Sequence, residues 1–327
     1  MSVLVIKPGL LTSVQDGGRA GYAGLGVGRA GAMDWPAWRL ANALVGNAGD
    51  EAALEFTLLG PTLRFEQNAV IALTGADIDA HVDHHRIPTW TCCALPAGSV
   101  LRLGGMRHGC RGYLAVRGGW ATPVVLGSRS TDLHARIGPF DGRSLQANDQ
   151  LAIGASDACA WLRPADATHV LPWGLDPQPW LDYHNGPLAL MRGHHFDALD
   201  AASQHAVFNT TYTISKDSNR TASRLDHASL SLQQPLELIS EATLPGTLQL
   251  PPSGQPILLQ SEAPVTGGYP RIGQLAAVDL ARLAQRRPGD TVCFRETTLD
   301  ESLQRLAQRQ ERLQRLLRHI AQRQSEE

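Results

Sequence analysis

Residues 15–34 read QDGGRAGYAGLGVGRAGAMD, and the choice between two readings of this stretch decides the fold. Seven glycines fall within its twenty residues, and the last three, Gly26, Gly28 and Gly31, spell G-x-G-x-x-G. A dinucleotide-binding loop requires a strand running straight into the first glycine and a helix opening at the third, because the pyrophosphate must meet free helix amides. Here Gly26 follows QDGGRAGYAGL, and the nearest strand-like run ends at Lys7. The surroundings read as β-hairpins and not βαβ units, despite the acidic pair Asp50 and Glu51 about twenty residues on. The glycines therefore predict a pliable loop of a β-protein, with positive φ angles and close backbone approach. A helix opening at Asp34 still leaves room for an anion or a carbonyl oxygen at its amide end.

Working outward, short alternating or β-branched runs recur between turn signals: SVLVIK (2–7), ALEFTLL (53–59), TLRFE (62–66), AVIALTG (69–75) and ADIDAHV (76–82). IPTWTCCAL (87–95), SVLRLGG (99–105), GYLAVRGG (112–119) and DQLAIG (149–154) continue the series, with AGS, RHG and NDQ as turns between them. These are strands. The turn-plus-strand entries PAGSVLRL and QANDQLAI in one half, and LPGTLQL and RPGDTVCF in the other, point weakly to two similar β-domains. Helices are few. One opens at the N-cap Asp34 with Pro36 in its first turn, and others fall at about 197–208 and 274–286. The final stretch, TLDESLQRLAQRQERLQRLLRHIAQRQ, is a long amphipathic helix with a Thr298/Glu301 capping box. Leu303, Leu306, Leu313, Leu317 and Ile320 form its apolar stripe, which packs on the body or on a partner helix. The division is 1–160 for the first domain, 161–185 for a Pro- and Trp-rich linker, 186–298 for the second domain and 299–327 for the helix.

Composition excludes several function classes. The 327 residues are 43% hydrophobic, enough for a substantial core, and the formal net charge of -2 leaves no basic footprint for nucleic acid or an anionic membrane. No apolar run approaches the roughly 18 to 20 residues of a membrane span. The start, MSVLVIKPGLL, reads as a strand and not as a signal peptide. Five cysteines, including the adjacent Cys92 and Cys93, follow no disulfide or metal-ligand spacing and fit a reducing cytoplasm. Lys7 and Lys216 are the only lysines, and neither stands in a G-x-x-x-x-G-K-[ST] loop or a Met-Lys-Met biotin site. ATP or biotin chemistry, if used, must come from another chain or domain.

Several motifs then fall into one order: SVQDGGRAGY (13–22) with GAMD (31–34), LEFTLLGPTLRF (54–65), RGYLAVRGGWATPVVLGSRST (111–131), SNRTASRL (218–225) and TGGYPRI (266–272). Together they resemble the KipA family, which comprises the C subunits of 5-oxoprolinase and is also called the allophanate hydrolase subunit 2-like, biotin-dependent carboxyltransferase family. The resemblance implies a mainly β protein of two cyclophilin-like β-barrel domains, with a few short helices and the C-terminal amphipathic helix. It also implies two partners, a KipI-like B subunit and a lactam-utilisation-type A subunit, in the ATP-dependent hydrolysis of 5-oxoproline (pyroglutamate) to glutamate. On this reading ATP is used by the complex, and this chain binds no cofactor and no metal of its own. Two alternatives within the resemblance are a KipA-type protein that antagonises a KipI-like kinase inhibitor without turnover, and a carboxyltransferase component acting on urea. Prolyl isomerase activity does not follow from an architectural likeness.

Candidate site residues have two readings each. Gln15, Asp16 and Arg19 suit fork-like binding of a substrate carboxylate or amide, or else an Asp16–Arg19 pair fixes the loop. Asp34 joins them as the start of the GAMD helix. Glu55, among apolar strand residues, is a general acid or base, or a structural hydrogen-bond acceptor. Arg129, Ser130 and Thr131 of GSRST either hold a developing oxyanion or form a plain turn. Arg220 and Arg224, with Ser218, share a face if extended and would then grip an anion together. In TGGYPRI, Thr266 and Tyr269 flank two glycines that admit a ligand or form a β-bulge, and RGGW (117–120) repeats the pattern. HVDHH (81–85) reads as a solvated hairpin turn and not as a metal site. Members of the family usually read S-D-R-M-G-x-R-L and D-x-Q-T-T-G-G-Y where this chain has SNRTASRL and, from Glu262, EAPVTGGY.

Overall fold

The structure is a computed structural model that describes residues 2–156, 167–176, 186–227 and 229–326. Contacts divide the chain into two units: Met1–Arg19, Asp34–Leu181 and Arg312–Glu327 form one, and Ala20–Met33 and Asp182–Glu311 form the other.

The first unit is built on a ten-stranded sheet. Its strands are β1 (Ser2–Lys7), β2 (Thr12–Gln15), β3 (Ala53–Thr57), β4 (Thr62–Phe65), β5 (Ala69–Val82), β6 (His85–Arg86), β7 (Thr91–Leu95), β8 (Val100–Val116), β9 (Gln150–Ala152) and β10 (His169–Gly174). The order is β10-β7-β5-β8-β4-β1-β9, with β2 and β3 branching from β8, and β6 from β5. The runs AVIALTG and ADIDAHV, expected as separate strands, are one strand bent at Gly75. Gly75 has φ +86, and a Cβ there would lie 2.4 Å from the Arg111 carbonyl oxygen. The pairing slips at this bulge, so the inward set changes from Ile71 and Leu73 to Ala76, Ile78, Ala80 and Val82. A one-residue slip exchanges the two faces of a strand, and both halves of β5 thereby keep their apolar side in the core. RHG, read as a turn, lies inside β8 for the same reason: its Gly109 takes φ +79 within a paired strand. HVDHH does form a tight hairpin, with Val82 opposite His85. Helix α1 (Trp35–Leu44) and a single turn α2 (Pro139–Gly142) complete this unit with the end of the C-terminal helix.

The second unit carries β11 (Leu188–Arg192), β12 (Thr211–Ile214), β13 (Ala222–Asp226), β14 (Glu241–Ala242), β15 (Thr247–Gln249), β16 (Ile257–Leu259), β17 (Thr266–Gly267), β18 (Arg271–Leu275) and β19 (Thr291–Glu296). Seven of these close a barrel in the order β11-β18-β15-β16-β13-β12-β19, sealed by parallel pairing of β11 with β19. β14 and β17 form a separate two-stranded ribbon. The barrel is filled by Leu190, Tyr212, Leu225, Leu248, Leu258 and Phe294 among others. Helix α3 (Ala201–Asn209) is capped by Asp200, and α4 (Leu280–Ala284) is shorter than the 274–286 expected, because Arg271–Leu275 is strand.

Three segments sit differently from the sequence-based division. Residues 20–33 group with the second unit, β10 within the expected linker pairs with β7 of the first unit, and the rest of that linker, 161–166 and 177–185, lies outside the described residues. The C-terminal helix α5 (Leu299–Ser325) groups with the second unit up to Glu311 and with the first from Arg312. Its capping contact is present, with the Glu301 amide donating to Thr298 Oγ1 at 3.2 Å. Leu313 and Ile320 of the stripe are buried, whereas Leu303 is 53% exposed. Among the described residues no helix is long and apolar enough to cross a membrane.

The first half of α5 is anchored by charge. Arg305 donates to both oxygens of the fully buried Asp279, at 3.0 and 3.1 Å, and Arg282 and the Ala189 amide donate at 2.9 Å each. Burial pushes the Asp279 carboxyl up, but the bonds from Arg305, Ala189 and Arg282 outweigh it and hold the group below the usual carboxylate range. Because the folded value is depressed, this stabilisation is full above the unfolded value near pH 4 and is lost as pH falls through the folded one. Asp279→Ala removes the acceptor shared by Arg305 and Arg282 and is expected to cost about 1–3 kcal/mol in urea unfolding at pH 7. The difference from wild type should shrink toward acid pH; a pH-independent or negligible difference would contradict the anchor.

Candidate functional site

The β2 strand ends at Gln15, and the chain turns at Asp16 into the glycine-rich stretch. The buried Asp16 carboxylate accepts from Ser128 Oγ and Ser130 Oγ at 2.6 Å each, from the Gly18 amide at 2.8 Å and from the Arg129 amide at 2.5 Å. Its own amide donates to Ser130 Oγ at 2.9 Å, and Arg19 donates through Nη2 to the Ser130 carbonyl. The partner turn is set by local geometry: Leu126 and Gly127 both take positive φ, and Val125 and Ser128 exchange backbone bonds across them, the pattern of a two-residue hairpin. The Arg129 side chain donates to the Thr122 carbonyl, so it is tied to main chain. QDGGR and GSRST, over a hundred residues apart in sequence, are thus one cluster around a single carboxylate.

Within this cluster two atoms stand out. Gln15 Nε2 donates to Ser13 Oγ and to the Thr131 carbonyl, each at 2.9 Å. Gln15 Oε1 and Thr131 Oγ1 are buried and have no hydrogen-bond partner among the described residues. A buried polar atom left unpaired costs about 1–3 kcal/mol, and here two such atoms sit on hydrogen-bonded residues.

Glu55 and Asp34 meet through a residue that the motifs did not single out. The Tyr113 hydroxyl donates to Glu55 Oε2 at 2.6 Å and accepts from the Asp34 amide at 2.7 Å, while Arg111 Nε lies 3.9 Å from Glu55 Oε1. Burial, then the negative charges of Glu55 and Asp34, raise the Tyr113 phenol well above its ordinary value, so it stays protonated and keeps donating. This is a buried support holding the start of α1. Asp34 also caps that helix, accepting from the Ala37 amide at 3.2 Å, and its carboxylate occupies the amide end that the sequence left open to an anion.

In the second unit Arg220 and Arg224 do not act together, contrary to the two-arginine grip expected from their spacing. Asn219 Oδ1 accepts from the Thr221 and Ala222 amides in a turn that precedes β13, so Arg220 lies off the strand. Arg224, on β13, is exposed, and Ser218 Oγ accepts from its amide at 3.1 Å. Arg220 is buried, donating to Glu262 at 2.6 Å and to the Gly31 carbonyl at 2.8 Å. It therefore holds the end of the glycine-rich loop. Glu262 stands at the first position of the stretch that departs from the family's D-x-Q-T-T-G-G-Y, and in the structure it is the buried partner of Arg220. Thr266 is exposed and Tyr269 is 44% exposed, beside the β14–β17 ribbon. The RGGW glycines serve packing: a Cβ on Gly118 would lie 2.4 Å from the Gly154 carbonyl oxygen.

The arrangement can be compared with known proteins. The family model for the carboxyltransferase domain, subdomain A and B, matches residues 25–296. The chain belongs to the carboxyltransferase domain, subdomain A and B, family. This carboxyltransferase-domain chain is 40% identical to the C subunit of 5-oxoprolinase from Escherichia coli (strain K12), over 91% of its length and 92% of that protein's. It is 37% identical to the C subunit of 5-oxoprolinase from Haemophilus influenzae, over 89% of each chain. Among solved structures, the K. lactis urea amidolyase superposes with a TM-score of 0.85 at 28% identity, across 98% of this chain and 20% of that one. The mainly β architecture and the family resemblance read from the sequence therefore hold.

Arg220→Ala removes the grip on Gly31 and leaves Glu262 buried without its partner. The variant is expected to be destabilised by about 3–5 kcal/mol. Under native conditions trypsin should cut after the exposed Arg29 about tenfold faster than in wild type, because local opening exposes the loop. Unchanged cleavage would show that Arg220 does not hold the loop.

Proposed function

We propose that this chain is the C subunit of an ATP-dependent 5-oxoprolinase, opening the lactam of 5-oxoproline by adding water across its amide bond to give glutamate. The observation that carries this reading is the near full-length match, in both directions, to two bacterial proteins of that name. The fungal putative urea carboxylase relative is matched at 33% identity by only 24% of its length, which favours the carboxyltransferase alternative less. The reading requires partners. With Lys7 and Lys216 as its only lysines, the chain leaves nucleotide chemistry to other subunits, which we take to be a KipI-like protein and a lactam-utilisation-type protein in the cytoplasm.

The geometry supports a substrate role for the Asp16 cluster. A five-membered lactam is a cis amide and presents N–H and C=O side by side on one edge. Gln15 Oε1 is an acceptor and Thr131 Oγ1 a potential donor, both unpaired, on residues joined by the Gln15–Thr131 bond. We assign the lactam edge to this pair, with Asp16, Ser128 and Ser130 as the frame that positions them and Arg129 and Arg19 as its braces.

Purified with its partner subunits, the chain should release glutamate from 5-oxoproline in the presence of ATP, and omission of this chain should abolish release. Gln15→Ala or Thr131→Val should lower kcat/KM by about tenfold, the equivalent of one lost hydrogen bond. No glutamate with every subunit present would sink the proposal.

A further inference from the structure

The last turns of α5 and the strand β10 enclose a groove that belongs wholly to the first unit. It has a volume of about 290 Å³, with Trp173 and Leu175 on one side and Leu316, His319, Ile320 and Arg323 on the other. Both walls are fixed. Thr91 Oγ1 donates to the Trp173 carbonyl at 2.6 Å and the Leu175 amide to the Trp90 carbonyl at 2.8 Å, which ties the strand side to β7 and the residue before it. On the helix side Leu313 and Ile320 are buried, and Gln324 Nε2 donates to the Ala43 and Leu44 carbonyls at 3.0 Å each, capping the end of α1. The groove is therefore preformed, and a guest does not have to organise it.

Its charge pattern points to what it accepts. From Arg312 to Ser325 the chain reads RLQRLLRHIAQRQS, four arginines and one histidine with no acid, in a protein whose formal net charge is -2. Arg312, Leu316, His319 and Arg323 recur at steps of four, three and four and so share one helix face, along which Arg312, His319 and Arg323 are exposed. An apolar floor beside a cationic wall complements a segment with an apolar edge flanked by carboxylates. Three other occupants fit worse. A bilayer takes up convex apolar faces and not a concave one. A nucleic acid would meet half-buried Trp173 and Leu175 where it needs cations. A second copy docked groove to groove would set one arginine wall against the other, since a two-fold interface pairs each patch with itself. The helix wall also lies beyond the family match, which ends at residue 296 whereas α5 begins at Leu299.

We propose that this groove is a docking site for an acidic amphipathic segment of a partner subunit, whose apolar side chains fill the space between Trp173 and Leu316 and whose carboxylates pair with Arg312 and Arg323. Arginine suits the task, because its planar fork meets a carboxylate through two parallel bonds. This rests on the reading of the chain as one subunit of a larger enzyme, and adds to it a surface by which the chain is held.

The test measures assembly and not turnover. The chain is titrated calorimetrically with each partner subunit at low and high salt, as wild type, as Arg312→Glu/Arg323→Glu and as Leu316→Gln. For one partner the charge-reversed variant should raise Kd about tenfold or more, and the weakening of binding by salt should flatten because the screened pairs are gone. Leu316→Gln should weaken binding without changing the salt dependence. If that variant does not fold, the charge reversal, made at two exposed positions, decides alone. Unchanged affinity for every partner subunit overturns the inference. So does a wild-type chain that sediments as a dimer broken by the charge reversal, or one that binds phosphatidylserine vesicles only while both arginines are present, since either result gives the groove another occupant. Wild-type subunits that form no complex overturn it together with the subunit reading. Charge-sensitive assembly without glutamate release overturns the 5-oxoprolinase reading and leaves the docking site standing.

Discussion

The carboxylate of Asp16 is the constraint on which the candidate site depends. It is buried, and two serine hydroxyls and two main-chain amides donate to it in place of water. A carboxylate desolvated in this way is stable only while all its donors are in place. The Leu126–Gly127 hairpin must therefore present Ser128 and Ser130 at one height, and Gly18 must turn its amide inward at φ +80. With that frame set, Gln15 Nε2 reaches the Thr131 carbonyl, and Gln15 Oε1 and Thr131 Oγ1 stay buried without a partner among the described residues.

The same economy runs through the second unit. Arg220 and Glu262 neutralise each other in the interior, and the guanidinium's remaining reach is used on the Gly31 carbonyl, fixing the far end of the stretch that begins at Asp16. The glycines between these anchors include Gly21, Gly24 and Gly26, around which a Cβ would meet nothing within 4 Å. Their role is conformational where φ is positive, at Gly21 and Gly26. The G-x-G-x-x-G spacing is a by-product of a loop that needs left-handed residues at several points.

Most of the fold was legible because local signals agreed with the final structure. The Asp34 cap, Pro36 in the first turn and the capping box at Thr298 are short-range effects, and alternation marked most strands. The long strands were misread where Gly75 and Gly109 imitate turns; only the pairing partner tells a bulge from a turn, and that partner is distant in sequence. The site was legible as a set of motifs but not as a geometry. Nothing local shows that Asp16 would meet Ser128, that Tyr113 would bridge Glu55 and Asp34, or that the turn at Asn219 would part Arg220 from Arg224.

The central claim, that Asp16 and the Ser128–Ser130 turn act as one unit on which the site is built, is tested most directly by a double-mutant cycle. Unfolding free energies would be measured for Asp16→Ala, Ser130→Ala and the double variant. The account predicts strong coupling, about 1–3 kcal/mol, since either change alone breaks the shared bond. Additive effects within about 0.5 kcal/mol would contradict it, and would mean that loop and turn are held in place independently.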